Sequence, residues 1–172
     1  MKRAVILIAD EHHDLEVWYP ILRLREAGWT AVTAGIDSKR DYTGKFGYPI
    51  VVDTLIDEVQ TKDFDAVIIP GGWAPDYIRR SQVAVEFVSQ MARAGKIVAA
   101  ICHGGWVLVS ANVLKGKQAT SAPSIKDDLI NAGALWLDKD VVFDDNIITS
   151  RKPDDLPIFC KTILAVSEKL RR

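Results

Sequence analysis

The chain has 172 residues, 48% of them hydrophobic and 26% charged, with a formal net charge of -1. That is long and apolar enough for a sizeable core, so one domain spanning residues 1–172 is expected and a disordered chain is excluded. Basic and acidic residues are interspersed, which leaves no electrostatic footprint for specific nucleic acid and no polybasic patch for a membrane.

No apolar run approaches the roughly 18 residues that a membrane span needs, and "MKRAVILIADE" meets an acid too early for a signal peptide, so a cytoplasmic location is expected. Cys102 and Cys160 are far apart in the sequence and read as reactive or buried thiols, not as a disulfide. In chain order, "KRAVILIAD" (2–10) is a continuous apolar run, the pattern of a strand covered on both faces. Asp14 caps a helical pattern carrying Leu15, Val17, Trp18, Ile21, Leu22 and Leu24, which Gly28 stops. "WTAVTAG" (29–35) is a second strand, and "YTGKFGYPIVVD" (42–53) reads as a hairpin or extended arm. "FDAVIIP" (64–70) is a buried strand, residues 81–94 form a helix ended by Gly95, and "KIVAAI" is the next strand. A helix begins near His103, short strands follow around 117–121, 134–143 and 146–150, and "DDLPIFCKTILAVSEKL" closes the chain as a helix.

Strands alternating with helices of this length imply crossover connections. The expected fold class is α/β, a flavodoxin-like three-layer sandwich with a mostly parallel central sheet. In such sheets the functional crevice lies beyond the carboxyl ends of the strands. Three strand ends therefore belong together: "ADEHHD", "PGGWAPD" and "ICHGG".

Cys102 sits between a strand and a helix and is followed by two glycines, the pattern of a nucleophile elbow. The following helix would point its N–H groups at the sulfur and lower the thiol pKa. The plain alternative, a small buried hydrophobe, is outweighed by His103 and the paired glycines. Neighbouring residues at a helix start diverge, so His103 is not expected to fold back onto Cys102. As a base it needs an orienting acceptor on its other nitrogen. Otherwise it is a surface histidine whose backbone N–H still serves as an oxyanion donor. Gly72 in "PGG" offers a second donor, or is an ordinary turn. "ADEHHD" is poor metal-ligand spacing, so neither a metal nor a cofactor is expected.

Five blocks in register, "AICHG", "IIPGGWAPDYIR", "TGKFGY", "IKDDLINAGA" and "SRKPDDLPIF", resemble the PfpI-type intracellular proteases and Parkinson-associated deglycase relatives. These belong to the class I glutamine amidotransferase-like superfamily, and the resemblance runs from residue 3 to about 168. It implies Cys102 as nucleophile, His103 as its histidine, and Asp76 as an acid supplied by a neighbouring subunit. It also implies oxyanion donors on the backbone of Gly72 and His103, and homo-oligomers built from dimers, including hexamers. By register, the position of the family's strand-end glutamate falls on His13, with Glu11 or Glu16 as alternatives. Ala122 stands where some members carry a tyrosine near the site.

The implied activity is that of a cysteine-dependent hydrolase or lyase on small carbonyl adducts, glyoxalase- or deglycase-like, or on peptides. The competing class is a redox-sensing or chaperone-like stress protein whose Cys102 is oxidised instead of turned over. Isonitrile hydration is a third chemistry known on such elbows. Cys160, among Ile158, Phe159, Ile163 and Leu164, is expected to be structural, and Trp73 and Trp106 to wall the pocket.

Overall fold

The computed structural model describes residues 1–169, so the last residue of the expected final helix, Leu170, lies outside the described residues, as do the last two positions of the expected 1–172 domain. The elements in order are β1 (Arg3–Ile8), α1 (Asp14–Glu26), β2 (Thr30–Gly35), β3 (Asp41–Thr43), β4 (Pro49–Val51) and β5 (Thr54–Leu55). They continue with β6 (Ala66–Ile69), α2 (Ala74–Arg80), α3 (Gln82–Arg93), β7 (Ile97–Ile101) and α4 (Gly105–Ser110). The chain closes with β8 (Gln118–Ala119), α5 (Lys126–Asn131), β9 (Leu135–Trp136), β10 (Val141–Asp144), β11 (Ile147–Ser150) and α6 (Leu156–Lys169).

Seven strands form the central sheet in the order β10-β11-β7-β6-β1-β2-β5. Every neighbouring pair is parallel except β10 with β11. β3 and β4 form a hairpin, one of the two arrangements expected there, while β8 and β9 pair as a separate parallel ribbon. The single strand expected over 134–143 is therefore two, because Leu135–Trp136 leaves the main sheet to pair with β8.

The continuous apolar runs follow from burial on both faces. Ala4, Ile6 and Ile8 of β1 pack with Val17, Ile21 and Leu24 of α1 and Phe159 and Ile163 of α6. The alternate residues Val5 and Leu7 face the opposite layer, with Ile78 of α2, Val88 and Met91 of α3, Leu108 of α4 and Leu129 of α5. This is a flavodoxin-like three-layer arrangement, two helices on one face and four on the other. Its functional consequence is geometric: β1, β6 and β7 are adjacent, so their carboxyl ends open on one crevice.

α1 shows a different period from the expected one. Its buried residues are Asp14, Glu16, Val17, Pro20, Ile21 and Leu24, whereas Leu15 and Leu22 are exposed. Asp14 does not cap its own helix with its side chain; the carboxylate instead accepts the Phe46 and Tyr48 N–H groups, both at 3.0 Å. That ties the β3–β4 turn to the mouth of the crevice. Among the described residues, no helix is long and apolar enough to cross a membrane.

Candidate functional site

β7 ends at Ile101 and the chain turns at once through a short 3-10 segment, Cys102–Gly104, into α4. Cys102 has φ +60, a left-handed conformation that costs a non-glycine residue on the order of 1–3 kcal/mol and persists only where packing enforces it. Gly104 supplies that packing, since a Cβ there would lie 2.6 Å from the Ile69 carbonyl oxygen. The elbow thus presses against the end of β6, and the sulfur projects into the crevice.

The two neighbouring loops zip together beneath it. His13 N–H donates to the Gly71 carbonyl at 3.1 Å, and Trp73 N–H donates to the Glu11 carbonyl at 2.9 Å. This brings the first turn of α1 to the sulfur. Gly71 N–H donates to Glu16 Oε2 at 2.6 Å, and the Glu16 carboxyl is also within hydrogen-bonding reach of the Cys102 thiol. Oε1 has no hydrogen-bond partner. A Cβ at Gly71 would lie 2.6 Å from both Cys102 Cβ and Glu16 Oε2, so only glycine lets thiol and carboxyl meet here.

Glu16, not His13, therefore occupies the carboxyl position beside the nucleophile. The register from "ADEHHDLE" fails because α1 begins at Asp14, and Glu16 falls on its buried stripe with Val17 and Pro20. His13 sits just before the helix with its ring edge-on to Phe46, centroids 5.1 Å apart, and its buried Nδ1 has no hydrogen-bond partner. His12 is fully buried, with Nδ1 bound to the Ala9 carbonyl at 2.8 Å.

His103 does fold back: its Nδ1 lies 3.3 Å from Cys102 Sγ. The divergence of neighbouring side chains on a regular helix does not apply, because the left-handed Cys102 backbone turns the two side chains toward each other. Its Nε2 lies 3.0 Å from Ser124 Oγ. Trp106 packs against the ring at 5.1 Å and Trp73 at 6.2 Å, forming the expected aromatic wall. Trp106 is fixed by Asp128, which accepts its indole N–H at 2.8 Å, whereas Trp73 is 57% exposed. Asp76 pairs with Arg80 at 3.0 Å on the surface of α2.

Burial pushes Glu16 up to about 7, so the carboxyl keeps its proton far above the ordinary range. Burial, followed by the Glu16 charge, pushes Cys102 up to about 12. The backbone N–H groups of His103 and Gly72 pull in the opposite direction and both reach the sulfur. The expected depression of the thiol pKa is thus reversed, since α4 is only six residues long and burial outweighs its dipole. Burial first, and Lys45 second, hold His103 and His13 below the usual histidine value, leaving neutral imidazoles near neutral pH. Among the described residues, no group of three or more His, Cys, Asp or Glu is placed to hold a metal ion.

A left-handed cysteine, a buried carboxyl, an adjacent imidazole and two convergent N–H groups are suited to nucleophilic attack on a carbonyl. The sequence profile of the DJ-1/PfpI family matches residues 2–166. The chain belongs to the DJ-1/PfpI family. It is 47% identical over 154 residues to a deglycase of Pyrococcus abyssi, covering 90% of this chain and 92% of that relative. It is 41% identical over 165 residues to protein/nucleic acid deglycase 2 of Escherichia coli, covering 95% and 96%. A crystal structure of a two-domain protein from Anabaena variabilis, with DJ-1/ThiJ/PfpI-like and ferritin-like domains, matches with a TM-score of 0.94 at 43% identity. That match covers 96% of this chain and 48% of the two-domain chain, so the present chain spans about half its length. Within the DJ-1/PfpI family, then, these two relatives bear deglycase names, and in this member sulfur, carboxyl and imidazole converge at one strand end.

Proposed function

We propose that this protein is a cysteine-dependent hydrolase or lyase acting on small carbonyl adducts, with glyoxalase- or deglycase-like chemistry. The observation that carries the reading is the convergence of Glu16, His103 Nδ1 and the Gly71–Gly72 backbone on a left-handed Cys102. The deglycase names of its relatives support it.

A dicarbonyl such as methylglyoxal offers the thiol an aldehyde carbon beside a second carbonyl. The thiol proton passes to His103 Nδ1, an S–C bond forms at the aldehyde carbon, and the carbonyl π electrons move to oxygen. The Gly72 and His103 N–H groups hold that oxyanion. Protonation gives a hemithioacetal; moving the proton on its carbon to the neighbouring carbonyl oxygen, with Glu16 as relay, gives an enediol. Moving the proton of the thiol-bearing carbon's hydroxyl to the adjacent carbon then gives a lactoyl thioester. Water then cleaves the thioester, releasing lactate and restoring the thiol. No oxidant or cofactor is consumed. Because Cys102 rests as a thiol, the imidazole serves as a base during attack and not as a standing imidazolium.

The proposed assembly is a homo-oligomer built from dimers, in which Asp76 of a second copy approaches His103. Its supports are the sequence resemblance, the position of Asp76 on an exposed helix face, and the exposed apolar side chains Leu15, Leu22, Phe46 and Tyr48. These four help line a cavity of about 560 Å³ between α1 and the hairpin.

The test is lactate production from methylglyoxal by wild type and Cys102→Ser, with a glycated amine and a peptide run beside it. Turnover that disappears in the variant supports the proposal. A wild type that turns over none of these, yet gains oxygen on Cys102 under mild peroxide, points instead to a redox-sensing protein.

A further inference from the structure

A neutral imidazole has one donor and one acceptor, so what occupies one nitrogen decides what the other can do. In His103 the two nitrogens face different groups: Nδ1 faces Cys102 Sγ at 3.3 Å and Nε2 faces Ser124 Oγ at 3.0 Å. Ser124 is itself exposed, but its neighbours are anchored to the elbow. Ala122 N–H donates to the Cys102 carbonyl at 3.2 Å, and Ser121 Oγ accepts the Trp136 indole N–H at 3.0 Å. On the other side Ile125 is buried, with Cδ1 against Gly105 at the start of α4. The hydroxyl is thus held in register with the ring by contacts to the same turn that carries the sulfur.

We propose that Ser124 is a positioning residue that fixes the tautomer of His103, accepting the Nε2–H so that the Nδ1 lone pair faces the Cys102 thiol. This rests on the reading of Cys102 as nucleophile and deepens it, by supplying the orienting acceptor from within the chain. The requirement is real because the thiol rests protonated: a base must face it at the moment of attack. A hydroxyl also suits the task better than a carboxylate would within one chain. It orients the ring without adding a second negative charge beside Glu16, the group that already opposes thiolate formation. Lys45 also acts on this ring and disfavours the imidazolium. Asp76 of a second copy would then add charge to an imidazole already aimed, instead of aiming it.

The experiment has two readouts, neither needing a substrate. The first is the ring nitrogen NMR signature of His103 above its pKa, in wild type, Ser124→Ala, Ser124→Thr and Asp76→Ala. The second is the pH profile of Cys102 alkylation by iodoacetamide, in which an S–C bond forms, iodide leaves and the thiol proton passes to Nδ1. Wild type is expected in the Nε2–H tautomer, as are Ser124→Thr and Asp76→Ala. Ser124→Ala is expected to show mixed tautomers, and alkylation near neutral pH slowed about fivefold by loss of one hydrogen bond. A wild-type Nδ1–H tautomer overturns the proposal, and needs no variant to fold. So does a Ser124→Ala protein with an unchanged tautomer and pH profile. A protein inactive on every carbonyl but with the expected tautomers would sink the proposed function and leave this inference standing.

Discussion

Glu16 is fully buried and Cys102 partly so, and ionising either places a charge where burial opposes it. For Glu16 the native pKa of about 7 lies above its ordinary 4.5, so between these values the folded chain binds a proton that the unfolded chain has lost. Stability is therefore highest below pH 4.5 with respect to this group, and falls as pH rises through 7, by about 3 kcal/mol at 1.36 kcal/mol per pKa unit. Glu16→Gln removes this dependence: its denaturation midpoint at pH 8 is expected to exceed wild type, while the two converge at pH 4.5. The same variant deletes the charge opposing the thiolate, so Cys102 alkylates faster at pH 8 although turnover falls. Slower alkylation in Glu16→Gln would show that the carboxyl aids the thiolate instead. The role of Glu16 was legible in one respect. It is an acid in phase with Val17, Pro20, Ile21 and Leu24, a charge on a buried stripe, which is uncommon unless the charge has a use. Glu16 was one of the alternatives for the carboxyl position, and register from the strand end put His13 first because it takes no account of which residues of α1 face the core.

At the scale of elements, the site is a set of close backbone approaches. Gly71→Ala would drive a methyl group into Cys102 Cβ and Glu16 Oε2, and overpacking of that kind costs about 1–3 kcal/mol. The expected result is a lowered urea midpoint together with lost turnover, whereas full stability with full turnover would mean the three loops do not converge as described. The strands were readable because continuous apolar runs have one structural meaning in a doubly covered sheet. α2 and α5 were not, being seven and six residues long and therefore too short for a helical period to declare itself. Ser124 and the fold-back of His103 were also hidden from sequence. Both depend on a left-handed Cys102 and on a hydrogen bond between residues 21 positions apart.

For the whole molecule, the sheet order matters more than any one contact. By placing β1, β6 and β7 side by side, it gathers residues from positions 11–16, 70–73 and 102–103 into one crevice. Within one chain the Asp76 carboxylate pairs with Arg80, while the His103 nitrogens face Cys102 and Ser124. If Asp76 of a second copy completes the site, two inactive variants should rescue each other. Mixing Asp76→Ala with Cys102→Ser under subunit exchange creates sites that hold an intact cysteine and an intact neighbouring acid. Partial return of turnover is expected; none, with mixed assemblies confirmed by mass, removes the intersubunit acid. Asp76→Ala alone should lose turnover with an unchanged melting temperature, since its one ion pair is exposed and worth under about 1 kcal/mol.

In the proposed chemistry Cys102, and not the fully buried Cys160, forms the covalent bond to substrate. The direct measurement is acid quenching of the protein during turnover of methylglyoxal, followed by intact mass and peptide mapping. The predicted result is one methylglyoxal equivalent on the peptide containing Cys102, absent from Cys102→Ser. Turnover that persists in Cys102→Ser, or an adduct carried only by another residue, would contradict it.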